Sequence, residues 1–181
     1  MIIILKTILF FLLTGLSSQL LAQQSLKFED WQVQYTPNSI EAFTVGGPNS
    51  SFGMYCSGEQ CLFYLHDSLL CQPGSKSPVL MSGINSTAAI SVQCAQVGGT
   101  LFQILEPFNS VLEVLKAGSF VGFAVPLQNG SFGFSRFSLK GASEAIKKTL
   151  QESANNKKPP MPEVTPPKPI PGTQRLKEIL I

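Results

Sequence analysis

Charge is scarce in this chain. Only 13% of its 181 residues are Asp, Glu, Lys or Arg. The formal net charge of +2 comes without a basic patch, since apart from Lys147-Lys148 and Lys157-Lys158 the cations stand apart. Nucleic acid is therefore excluded as a partner, because it is held by clustered positive charge. Histidine is scarcer still, with His66 alone. Hydrolytic sites usually pair a base with a nucleophile or bring two carboxylates together. Asp67 adjoins His66, but neighbours in a strand point to opposite faces, and the other acids are single and scattered. GxSxG, HExxH and phosphate-loop patterns are missing, and so is CxxC. The chain reads as non-enzymatic, with no cofactor and no catalytic residue.

Long apolar runs are also missing after the first two dozen residues, so nothing later reaches the ~20 residues of a membrane helix. The start, MIIILKTILFFLLTGLSSQLLAQQ, has a lone Lys6, a short apolar run and a small residue, Ala22, at the expected cut. That is the layout of a secretory signal peptide over residues 1–22, cleaved after Ala22, with no spanning segment in the mature chain. The expected location is periplasmic or secreted.

Four cysteines are present. In CSGEQCLFYLHDSLLC, Cys56, Cys61, His66 and Cys71 fall at intervals of five, close to a zinc knuckle. Export argues for oxidation instead, and an even count suits two disulfides. Leu62-Phe63-Tyr64-Leu65 is a β-prone run rather than a tight loop between ligands. Four cysteines allow three pairings. The spacing favours Cys56–Cys61 across a turn and Cys71–Cys94 between strands, with the other two pairings still open.

From Leu26 to Gln103 short β-prone runs alternate with turn clusters. Lys27–Tyr35 offers Phe28, Trp31 and Val33 to a core, and Pro37-Asn38 ends it. Gly46-Gly47-Pro48-Asn49 is a loop, and Ser51–Cys56 with Cys61–His66 forms a hairpin. Val79–Met81, Ala88–Cys94 and Thr100–Leu105 follow as strands. Phe108, Val111, Leu112 and Leu115 then repeat at helical spacing, with Asn109 or Ser110 to cap the helix and Gly118 to end it. Ser119–Gln128 and Ser131–Leu139 are strands joined by Asn129-Gly130, a strong hairpin signal. Ser143 caps a last amphipathic helix whose Ala142, Ala145, Ile146 and Leu150 face inward. Arg136 sits among Phe132, Phe134 and Phe137, where it can stack on a ring or pair with a carboxylate, or simply face outward. With Phe120 and Phe123, these phenylalanines read as core, or less simply as the lining of a small apolar pocket.

Past residue 153 the composition changes. Residues 154–172 form a spacer with seven prolines from Pro159 to Pro171, which packs no core and extends over about 40 Å. Residues 173–181, TQRLKEILI, follow. In a helix Leu176, Ile179 and Leu180 make one apolar stripe, too short to hold a helix alone in water. The stripe needs a surface.

The stretch VLEVLKAGSFVGFAVPLQNGSFGFSRFSLKGASEAIKKTL resembles the C-terminal half of the invasion-associated locus B family. Its closing SL-x-G-x-x-x-A turn is Ser138-Leu139-Lys140-Gly141-Ala142-Ser143-Glu144-Ala145. The family's W-x-V-x-C is matched by Trp31-Gln32-Val33-Gln34-Tyr35, with tyrosine in the cysteine's place. Cys94–Gly99 matches its later cysteine element without the second cysteine. The resemblance implies an exported bacterial, non-enzymatic β-sandwich-like domain tied to envelope function or host interaction.

The sequence thus predicts a mainly β chain. Residues 23–153 form one antiparallel β-sandwich-like domain with two short helices, followed by the proline-rich tail. The function predicted is protein–protein contact in the bacterial envelope, within an assembly such as a secretion apparatus. The alternatives are an effector or adhesin on a host surface, or a small apolar-ligand module.

Overall fold

The computed structural model describes residues 24–67, 71–116, 118–127 and 130–155. The segment 1–22, Asn129, residues 156–172 of the spacer, and Leu176, Ile179 and Leu180 lie outside the described residues.

The order is β1 (Ser25–Phe28), β2 (Trp31–Thr36), β3 (Ser39–Gly47), β4 (Ser50–Ser57), β5 (Gln60–His66), β6 (Lys76–Ser82), β7 (Thr87–Val97), β8 (Thr100–Glu106), α1 (Phe108–Leu115), β9 (Phe120–Pro126), β10 (Phe132–Ser138) and α2 (Ala142–Asn155). Among the described residues ten strands join one antiparallel sheet, ordered β1-β2-β3-β4-β5-β8-β7-β6-β9-β10. The sheet folds over on itself. Phe52 of β4 lies 5.1 Å from Phe123 of β9 and 5.7 Å from Phe137 of β10, ring centre to ring centre. The sandwich-like character therefore comes from two halves of a single sheet facing each other across a shared core.

Turn chemistry explains most of the hairpins. Gly98 and Gly99 both take positive φ, which a two-residue type I′ turn between Val97 and Thr100 requires. Pro48 and Asn49, the latter at φ 59°, supply the residue types of a type II turn between β3 and β4. Glu29 at φ 50° was not foreseen. It splits the expected single run Lys27–Tyr35 into β1 and β2, pairing Phe28 with Trp31. β3 was also not foreseen, although it supplies Ile40, Ala42 and Thr44 to the core.

Two helix starts differ from expectation. α1 begins after Pro107 in extended conformation, with no side-chain cap from Asn109 or Ser110. α2 begins one residue before Ser143. Gly141, at φ +80°, accepts the first helical hydrogen bond from Ala145 N–H, so it is the cap, and Ser143 stands exposed in the first turn. Ala142, Ala145 and Ile146 are buried and Leu150 partly so. α1 packs on β5–β8 and α2 on β1–β4.

The two ends of the sheet are tied by Trp31. Its indole is fully buried, and Nε1–H donates to Ser138 O at 2.8 Å. Asp30 N–H donates to Lys140 O, and Ser138 Oγ donates to Asp30 Oδ2 at 2.6 Å. The first hairpin and the last strand thus lock together through the Ser138–Gly141 turn.

Candidate interaction surface

All four cysteines are in disulfides, Cys56–Cys61 and Cys71–Cys94. Cys56 and Cys61 are direct cross-strand partners one step inside the β4–β5 turn, with Cα atoms 4.1 Å apart. That is the close spacing of a pair that exchanges no backbone hydrogen bonds, where two cysteines can join. Among the described residues no group of three His, Cys, Asp or Glu is placed to hold a metal.

His66 and Asp67 point apart. His66 Nδ1 donates to Leu101 O at 2.8 Å, and its ring lies 5.3 Å from that of Phe102. Asp67 Oδ1 accepts from Nε2 of the buried Gln103 at 3.3 Å. The structure brings together instead a pair that the sequence did not suggest. Tyr64, 5% exposed, donates its hydroxyl to Glu41 Oε1 across β4. Burial first, then the Glu41 charge and that hydrogen bond, push the phenol well above its ordinary value. No signal could have paired them, because Glu41 lies on the unforeseen strand.

The phenylalanines of the last hairpin divide between two faces. Phe123 and Phe137 fill the core. Phe132 and Phe134 point the other way and remain 70% and 66% exposed. Strand parity explains the split, since residues 132, 134 and 136 share the outward side of β10 and Phe137 the inward one. Phe134 lies across Gly122, where an added Cβ would stand 2.9 Å from its ring tip. Arg136 stacks on Phe120, its guanidinium carbon 3.5 Å from the ring centre. On the same face Leu80, half exposed, Ala124 and Phe134 form one row across β6, β9 and β10. The result is an apolar face with one cation on an edge strand.

Clefts border the described part of the domain. The first, about 270 Å³, is lined by the Cys71–Cys94 disulfide, Gln103 and Val125 among others. A second, about 290 Å³, lies between α1 and α2. The third, about 280 Å³, is formed by polar groups including Glu29 and Asp30. None is lined by a phenylalanine of the hairpin. No helix among the described residues is long and apolar enough to cross a membrane. No protein family, curated protein or solved structure matches the chain.

Proposed function

We propose that this chain is an exported, non-enzymatic bacterial envelope protein that works by binding another protein through the outward face of β10. One observation carries the reading. Phe132 and Phe134 are left in water, beside Arg136, by a domain whose core is already filled. Phenylalanine and arginine are enriched where interfaces concentrate their binding energy. Contiguous exposed apolar surface on a folded domain marks a contact site.

Two disulfides fit an oxidising compartment, and the leader-like residues 1–22 supply a route to it. The resemblance to the invasion-associated locus B family supports the same reading. Its motif residues here are scaffold, with Leu139, Ala142 and Ala145 buried and Gly141 against Phe28. The apolar stripe Leu176, Ile179 and Leu180 in the peptide Thr173–Ile181 supports a second docking element after the proline-rich spacer.

The test is crosslinking and co-purification from envelope fractions with Phe132→Ser/Phe134→Ser and with residues 173–181 deleted. The double substitution is expected to remove at least one partner that the parent chain retains. An unchanged partner set in both variants would refute the proposal. Recovery from culture supernatant rather than the periplasm would move the partner to a host surface.

A further inference from the structure

The sheet has two edges, β1 and β10. An edge strand presents unpaired N–H and C=O groups, which folded proteins guard by short length, charge, proline or a cover. β1 is four residues long, carries Lys27 and packs against α2. β10 is seven residues long, and its one charge, Arg136, comes in its second half.

Hydrogen bonds beyond both ends of β10 fix its parity. Leu127 N–H donates to Ser131 O at 2.8 Å, and Leu139 N–H donates to Ser119 O at 2.9 Å. In the register between them, Gly133, Ser135 and Phe137 turn their backbone groups toward β9. Phe132, Phe134, Arg136 and Ser138 turn theirs to the open side. The domain closes half of that side itself. Ser138 O accepts from Trp31 Nε1, and an added Cβ on Gly46 of β3 would stand 3.1 Å from Arg136 O. Among the described residues nothing bonds to the outward N–H and C=O of Phe132 and Phe134. The open stretch is the part of β10 that also leaves its phenylalanines in water.

We propose that the partner docks on β10 as an extended strand, pairing with the outward backbone groups of Phe132 and Phe134. This rests on reading the last hairpin as the interaction surface, and it names the mode of contact. An added strand binds through main-chain hydrogen bonds and is selected by alternate side chains. Opposite Phe132 and Phe134 the shared face suits β-branched or aromatic residues. Arg136 stacks on Phe120 and pairs with no acid among the described residues. The partner strand therefore carries a carboxylate at the Arg136 end, two residues from its apolar pair. Charge also separates another protein from a second copy. The chain's own edge strands, SLKF and FGFSRFS, each bring a cation and no acid.

Amide hydrogen exchange on the full chain tests this with the end-capped peptide Glu-Thr-Val-Thr-Val-Thr. Antiparallel to β10, it sets its glutamate opposite Arg136 and its valines opposite Phe134 and Phe132. Saturating peptide is expected to slow exchange at the Phe132 and Phe134 amides about tenfold, with no change at Lys27 on the other edge. N-methylation of both valines keeps every side chain and should abolish the protection, and lysine for glutamate should weaken binding several-fold. No protection from the parent peptide, or equal binding of the methylated one, overturns the proposal. Protection that appears on concentrating the chain alone gives the edge to a second copy and overturns the choice of occupant. In envelope fractions Phe132→Pro removes an outward N–H that β9 does not use, so partner recovery should fall well below that with Phe132→Ser. Equal recovery with these two, while Phe132→Ser/Phe134→Ser still loses the partner, refutes strand addition and leaves the hairpin reading standing.

Discussion

Gly141 shows how much of the fold can rest on one residue. At φ +80° it takes a conformation that side chains rarely adopt, and an added Cβ would stand 1.9 Å from the Phe28 carbonyl oxygen. Gly141→Ala is expected to cost more than about 2 kcal/mol, because strain and backbone clash add. Urea unfolding measures it, and a loss under about 0.5 kcal/mol would contradict the geometry. Tyr64 gives a pH signature. Its phenol is held protonated in the fold by burial and by Glu41, whereas in the unfolded chain it ionises near pH 10. Above that pH the unfolded state binds fewer protons, so this group's contribution to stability falls as pH rises past about 10. Tyr64→Phe should cost about 1 kcal/mol at neutral pH through the lost hydrogen bond. The gap between the two proteins should narrow in alkali, as unfolding at pH 8 and pH 10.5 would show.

At the scale of elements, the two disulfides differ in the loops they close, with sequence separations of 5 and 23. In the chain-entropy picture these correspond to about 2 and about 3 kcal/mol. Replacing Cys71 and Cys94 by serine should therefore destabilise more than replacing Cys56 and Cys61, and thermal unfolding of the two double variants checks the order. Most elements were legible. Gly98-Gly99 and the spacing of Phe108 to Leu115 announce themselves through turn chemistry and period. β3 did not, because its inward residues Ala42 and Thr44 are small or polar and leave room for Trp31 and Phe52, so the alternation is weak in hydrophobicity. Glu29 has no turn preference that would have marked the break between β1 and β2. The face of the last hairpin was half legible. Parity separates Phe132 and Phe134 from Phe137, but with aromatics on both sides the sequence does not say which side is core.

On the scale of the whole molecule, the core already contains Trp31, Phe52, Phe63, Phe123 and Phe137, fully buried and packed ring against ring. Phe132 and Phe134 contribute little to that packing. Their replacement by serine should change stability by no more than about 0.5 kcal/mol, as for exposed positions generally. A surface that binds without stabilising its own fold is what separates an interaction site from a scaffold. The most direct measurement places a photo-crosslinking amino acid at position 134 in the native host, with a control at Ser91 on the outward face of β7. The account predicts a discrete adduct to another protein from position 134 and none from position 91. Equal labelling from both, or none from either, would contradict it.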